Sequence, residues 1–228
     1  MTYNPDPHSD APPAGDEALV DTGAGLLANA VPDVNPLEKL DVAVAQAAAP
    51  FYRSDAMKLI GWASDISDQP PMRAVCGLAI AGGLLAGRPA AVRAGTRALL
   101  AHSVATWAKN LVKHRVDRTR PRAFLKSGRY TWAPGDHDEK MMNSFPSGHT
   151  AGAVAVARAF ARDLPGTAAP GYALAALVSA AQVPRCMHYP SDIAAGAAVG
   201  WAAEWASSRL FDRLLPLAPG PVARALGA

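Results

Sequence analysis

Three short segments of the sequence carry residue types that together could bind and transfer a phosphate group. The first places Lys113 seven positions before Arg120, which Pro121 follows. An arginine guanidinium matches two phosphate oxygens, and a lysine ammonium adds a mobile point charge. Seven Lys or Arg and one Asp fall within residues 113–129, so a solvated basic loop is the open alternative. The remaining arginines near this pair are predicted to lie on the surface: Arg115, Arg118 and Arg122.

The second segment is the Pro146–His149 turn, which runs directly into an alanine-rich stretch. A turn of this composition at the start of a helix presents backbone amides that suit an anion. Gly148 permits close approach of the backbone, the Ser147 hydroxyl can donate, and His149 can transfer a proton near neutral pH. An ordinary helix cap beside an incidental histidine remains the alternative.

The third segment contains His188 and, four positions later, Asp192. A carboxylate at this spacing can hold one imidazole nitrogen and leave the other available as a nucleophile or base. The same residues are also consistent with a helix start in which Asp192 or Ser191 is the N-cap. Taken in order, the three segments would supply charge neutralisation, an anion cradle with an acid, and an oriented nucleophile, the requirements of phosphoryl transfer.

With these residues in this order, the sequence resembles the type 2 phosphatidic acid phosphatase superfamily, which includes vanadium-dependent haloperoxidases. The family pattern is Lys, six residues, Arg-Pro; then Pro-Ser-Gly-His; then Ser-Arg, five residues, His, three residues, Asp. Lys113 with Arg120, the turn 146–149, and His188 with Asp192 match this pattern. The resemblance covers roughly residues 95–205.

The resemblance implies roles for the matching residues. Lys113, Arg120 and the Ser147–Gly148 turn would hold the phosphate, and His188 would attack phosphorus to give a phosphohistidine. Asp192 would orient His188. His149 would protonate the leaving oxygen and then activate water, without a metal or another cofactor. The implied substrate is a phosphate monoester or diphosphate of a lipid, such as phosphatidic acid, phosphatidylglycerol phosphate or a polyprenyl diphosphate. A vanadate-dependent haloperoxidase and a degenerate, non-catalytic lipid-phosphate-binding protein remain alternatives.

One element of the pattern is missing. Gln182 occupies the position of the family's third-segment arginine, and Ala181 that of the preceding serine. Loss of a charged ligand would cost about 3 kcal/mol of transition-state stabilisation, by analogy with other lost donors. Arg185 would share a helix face with residue 182 if the helix continued, so we predict Arg185 as a substitute phosphate ligand. Pro184 makes that continuation less favourable.

The elements that must position these residues are predicted to be helices, because the apolar stretches are rich in alanine and poor in aromatic residues. We expect an all-α fold, a bundle of about six helices with the active site between helices at one end. Residues 1–35 are predicted to be a disordered acidic tail and 36–228 a helical domain of the phosphatidic acid phosphatase type 2 kind. Helical patterns or apolar runs fall at 37–49, 53–66, 74–87, 89–113, 150–162, 171–183 and 192–215.

Charge and hydropathy indicate the kind of partner. Residues 1–35 contain six acidic residues and none of the 22 Lys and Arg, so the rest of the chain is strongly basic and favours an anionic partner. A nucleic acid is disfavoured because the basic segment has no interleaved aromatics or known motif. No run reaches the 18 or more apolar residues typical of a spanning helix, but small residues dominate the runs, as at helix contacts in bilayers. With the resemblance, this predicts association with a bacterial-type inner membrane, and a cytoplasmic location is the alternative. The oligomeric state stays open.

Overall fold

The computed structural model describes residues 34–52, 54–65, 69–137 and 139–227, and nearly all of the predicted acidic tail lies outside this range. Within it the fold is all-α, as predicted, with one small two-stranded sheet. The helices are α1 (Pro36–Ala48), α2 (Asp55–Ser64), α3 (Gln69–Leu85), α4 (Pro89–Lys113), α5 (Pro121–Ser127), α6 (Gly148–Asp163), α7 (Ala168–Ala181), α8 (Pro190–Leu214) and α9 (Gly220–Leu226). The strands are β1 (Val116–Arg118) and β2 (Trp132–Pro134), which pair antiparallel.

Proline and short polar caps set the helix starts. Pro89 and Pro190 occupy the first positions of α4 and α8, where the missing N–H has no partner to lose. Asn35 caps α1 by accepting from the amide of Glu38. The sequence pattern predicted the third helical run over 74–87, but α3 begins five residues earlier, at Gln69, which two prolines follow. They fall in a first turn, which tolerates proline.

The core is built around α4, which packs against α3, α6 and α8, while α6 also packs against α7 and α8. Small side chains allow close approach: Ala98, Ala101 and Ala105 of α4 are fully buried. On α8, a Cβ at Gly196 would lie 2.5 Å from the Ser147 carbonyl oxygen, so no larger residue fits without a shift. The start of α8 is therefore held against the start of α6, the arrangement that positions the second and third motif segments.

Ion pairs connect the same helices at the opposite end of the bundle. Arg97 of α4 donates to Asp163 at the end of α6 and to Asp212 of α8, both at 2.8 Å. Arg97 lies roughly 24 Å of helix from Lys113, at about 1.5 Å per residue. Buried Glu204 of α8 accepts from Arg162 of α6 at 2.8 Å. Arg97, Asp163 and Glu204 are buried, and leaving a buried charge without its partner is costly, so these contacts fix the helix arrangement far from the motif segments.

Across the described ranges, no helix has both the length and the sustained apolar character needed to cross a bilayer. Large apolar side chains are nevertheless exposed on several helices, among them Trp62, Leu78 and Leu177. The membrane association expected from the sequence stays a prediction.

Candidate active site

The fold brings all three motif segments to one end of the bundle. Lys113 is the last residue of α4, Arg120 immediately precedes α5, Gly148 begins α6, and His188 lies in the turn before α8. These residues line a cavity of about 340 Å³. The other residues that line it are Asp65, Gln69, His102, Thr106, Lys109, Lys140, His149, Arg185 and Met187. Ser147 and Asp192 are fully buried outside this lining.

The two cations of the first segment converge on one point of the cavity wall. Lys113 Nζ donates to the Asn143 carbonyl oxygen at 2.6 Å, and Arg120 Nη2 donates to the same oxygen at 3.3 Å. Arg120 Nε also donates to the Lys140 carbonyl oxygen at 2.7 Å. Backbone carbonyls of the 140–143 segment thus hold both side chains in place without neutralising them.

Burial has a strong effect on Lys113. Burial, together with the nearby charges of Arg120 and Lys109, lowers the pKa of the Lys113 ammonium to about 7, while Asp192 opposes the shift. A bound anion would favour the charged ammonium again. The charge of Lys113 therefore depends on pH near neutrality.

In the second segment, the cap interpretation and the anion-cradle interpretation are compatible. Ser147 is the N-cap of α6, and its Oγ accepts from the Thr150 amide at 3.4 Å and from the Thr150 hydroxyl at 3.1 Å. Gly148 faces the cavity directly after this cap. The first turn of a helix supplies amide donors and a positive dipole end, which both favour an anion at this place.

In the third segment, Asp192 completes the cap of α8 and faces His188. Its Oδ2 accepts from the Tyr189 amide at 2.8 Å and from the Ser144 hydroxyl. His188 Nδ1 lies 3.6 Å from the same Oδ2, an electrostatic contact slightly longer than a hydrogen bond. The N-cap of α8 is Tyr189, so the interpretation of Asp192 or Ser191 as the N-cap is wrong. Asp192, the third residue of the helix, completes the cap by accepting from the Tyr189 amide, and the same carboxylate faces His188.

The charge states of this pair follow from burial and from their neighbours. Burial, with smaller contributions from the charges of Arg120 and Lys113, lowers the pKa of His188 to about 4, while Asp192 opposes the shift. Burial raises the pKa of Asp192, but His188 and Arg118 more than offset that effect, so its pKa lies below the ordinary value. At neutral pH the cavity therefore contains a neutral imidazole backed by a charged carboxylate, the state required of a nucleophilic histidine.

Arg118 was predicted to lie on the surface, and that prediction is wrong. The side chain is fully buried. Its Nη1 donates to Asp192 Oδ1 at 2.5 Å and its Nη2 to Asp41 Oδ2 at 2.8 Å. Side chains alternate between faces along β1, and pairing with β2 places the guanidinium 3.9 Å from the ring centroid of Trp132. Arg118 thus fixes the Asp192 oxygen that does not face His188.

Gln182 and Arg185 do not have equivalent positions. Gln182 is fully buried, donates from Nε2 to the Val178 carbonyl oxygen at 2.9 Å, and does not line the cavity. Arg185 does line the cavity, but it donates to the Ser64 hydroxyl and, at 3.0 Å, to Asp65 Oδ1. Because α7 ends at Ala181, the expected common helix face of residues 182 and 185 does not form.

Comparison with known proteins identifies the class. The sequence model that describes the PAP2 superfamily matches residues 94–215, which is more than half of the chain and includes every motif segment. The chain belongs to the PAP2 superfamily. The fold agrees: the crystal structure of a transmembrane PAP2-type phosphatidylglycerolphosphate phosphatase from Bacillus subtilis aligns with a TM-score of 0.58 at 18% identity, over 87% of this chain and 96% of that one.

Two curated relatives are similar over shorter ranges. A lipid A 1-phosphatase of Rhizobium johnstonii is 34% identical over 122 residues, covering 51% of this chain and 50% of the relative. A lipid A 1-phosphatase of Porphyromonas gingivalis is 31% identical over 99 residues, covering 42% of this chain and 22% of the relative. The matches thus span half or less of the length of these relatives.

Proposed function

We propose that this protein is a metal-independent phosphatase that hydrolyses a phosphate monoester or diphosphate of a lipid through a phosphohistidine on His188. The observation that carries the proposal is the placement of a neutral, buried His188 at the cavity wall, with Asp192 behind it. Lys113 and Arg120 line the same cavity. A phosphate between these groups would meet a nucleophile and the charges that stabilise its oxygens.

The steps follow from the chemistry of each group. Lys113, Arg120 and the first turn of α6 bind the phosphate oxygens. His188 attacks phosphorus while the bond to the leaving oxygen breaks, and His149 gives that oxygen a proton. Asp192 stabilises the positive charge that forms on the His188 ring. His149 then takes a proton from water, which attacks the phosphohistidine and releases inorganic phosphate and His188.

An apolar groove next to the cavity supports a lipid as the substrate. The groove has a volume of about 370 Å³ and lies between α3, α6 and α7. Met72 at its wall is three residues after Gln69, which lines the polar cavity, and Ala153 is one turn beyond His149. The groove therefore begins about one helical turn from the phosphate-binding residues, where an acyl chain would leave a bound headgroup. The similar proteins are also named as phosphatases that act on lipids.

The direct test is phosphate release from phosphatidic acid, phosphatidylglycerol phosphate, polyprenyl diphosphate and lipid A in excess chelator. We expect turnover of at least one of these lipids, together with an acid-labile, base-stable phosphoryl label on the peptide that contains His188 after rapid quenching. Loss of turnover on chelation would contradict metal independence. A label on a different residue during turnover would contradict the proposed nucleophile.

The pH dependence should identify Lys113. The ammonium loses its charge as the pH rises through about 7, so kcat/KM should fall above that pH, and it should fall again below about pH 4 as His188 becomes protonated. In Lys113→Arg the guanidinium keeps its charge throughout this range, and the alkaline fall should move up by more than one pH unit. The measurement is kcat/KM from pH 4 to 10. An unchanged alkaline limb in Lys113→Arg would assign it to another group, such as His149.

Substitution of Leu174 should separate lipid binding from phosphate chemistry. Leu174 lines the apolar groove and is half exposed, so Leu174→Glu adds a charge there without emptying the core. We expect KM for a long-chain lipid phosphate to rise about 10-fold, since burying an unpaired charge against a chain is unfavourable. The KM for p-nitrophenyl phosphate should not change. Leu84→Glu is the matched control, because Leu84 has similar exposure and lies outside the groove; equal effects of the two substitutions on lipid turnover would exclude the groove.

A further inference from the structure

Lys109 is a cation of the cavity that lies outside all three motif segments. It is located one turn before Lys113 on α4, so both side chains project from the same face of the helix. We propose that Lys109 is an additional phosphate-binding residue, which holds the substrate phosphate from the side of the first turn of α6. This inference rests on the proposed phosphatase function and assigns one more ligand to its site.

The position of Lys109 against Gly148 is the main observation. A Cβ at Gly148 would lie 3.1 Å from Cδ, 3.2 Å from Cε and 3.3 Å from Nζ of Lys109. The lysine side chain therefore runs along the glycine, and its ammonium lies beside the first residue of α6. The absence of a side chain at position 148 provides the space that the last three atoms of Lys109 occupy.

The electrostatics of this placement favour an anion between the cations. Lys109 lies close enough to lower the pKa of Lys113 and of His102. Its ammonium also faces the positive end of the α6 dipole, which repels a cation. Lys109, Lys113 and Arg120 repel one another, and a phosphate dianion bound between them would offset this repulsion by attracting all three.

Lys109 would contact the phosphate from a different side than Lys113 and Arg120 do. Lys113 and Arg120 are both held by the Asn143 carbonyl oxygen, on the side of the 140–143 segment. Gln182 brings no charge and lies outside the lining, while Arg185 is tied to Asp65. Lys109 is the lysine that reaches the α6 side, where the amide donors of the first turn would bind the same anion.

The test compares Lys109→Met with Lys109→Arg, with Lys126→Met as a control of equal charge change on the exposed surface of α5. Isothermal titration of the intact protein with inorganic phosphate measures binding without requiring turnover. We expect Lys109→Met to weaken phosphate binding and to lower kcat/KM by about 10- to 100-fold, the effect of one charge-assisted hydrogen bond. Lys109→Arg should restore most of both, and Lys126→Met should match the wild type.

A second readout distinguishes binding from a merely structural role. The charged groups that shift the pKa of Lys113 are Lys109 on the same helix, Arg120 before α5 and Asp192 on α8. Removing the Lys109 charge should therefore move the alkaline limb of kcat/KM to higher pH, while a local packing defect would leave its position unchanged. Equal phosphate affinity of Lys109→Met and wild type would overturn the inference, whether or not the wild type turns over any lipid. An inactive wild type that binds phosphate through Lys109 would instead contradict the proposed function alone.

Discussion

Replacement of His188 by alanine should lower phosphate release by about 10⁴- to 10⁶-fold, the range seen when a nucleophile that acts as part of a unit is removed. The covalent step cannot occur without the imidazole. The cations proposed to bind phosphate lie on α4 and before α5, so the affinity for inorganic phosphate should change by less than about threefold, far less than the catalytic loss. Initial rates, phosphate titration and far-UV circular dichroism on the same preparation give the three measurements.

His114→Ala is the matched control for this prediction. His114 follows α4 directly, its side chain is largely exposed, and it does not line the cavity. It should retain wild-type turnover and the phosphoryl label on the peptide containing His188. If His188→Ala keeps a tenth or more of the activity, or still forms a labelled intermediate, then His188 is not the nucleophile.

The site was predictable from the sequence where the chemistry is local. The spacing of Lys113 and Arg120, the turn 146–149, and the pair of His188 and Asp192 each lie within one short segment, and the fold brings these segments to one end of the bundle. The start of α4 was predictable for the same reason, since Pro89 acts on its own first turn. In contrast, α8 begins at Pro190, two residues before the predicted start.

Residues whose roles depend on distant partners were not predictable. Arg118 is one of seven basic residues in a short stretch. Nothing within that stretch indicates that Arg118 is buried and pairs with Asp41, 77 positions away in the sequence. In the sequence alone, Lys109 cannot be distinguished from a solvated lysine near the end of a helix. Its position beside Gly148 depends on the packing of α4 against α6. Arg185 was expected to share a helix face with residue 182, but Pro184 and the end of α7 place it against Asp65 instead.

Arg118→Met should lower the free energy of unfolding by about 3–5 kcal/mol, the cost of leaving buried charges without their partner. The guanidinium joins two fully buried carboxylates, Asp192 and Asp41, and neither oxygen it contacts could reach bulk water. Urea denaturation measures the loss. Asp41→Asn should cost less, because Arg118 keeps Asp192 and the Ser191 hydroxyl as acceptors.

The pH dependence of that loss is what separates lost charge pairing from lost packing. In the wild type the lowered pKa of Asp192 contributes stability that is present above the ordinary carboxyl pKa and disappears as the pH falls through the lowered folded-state value. Without Arg118 this pKa should rise, so Arg118→Met should be most damaging near pH 7 and progressively less so below about pH 4. A destabilisation that is equal at pH 7 and pH 4 would mean that Arg118 acts through its contacts with Trp132 and Tyr189 rather than through its charge. If the charge pairing holds, the variant should also lose turnover in proportion to Asp192 protonation, because a neutral carboxyl no longer stabilises the positive ring that His188 acquires.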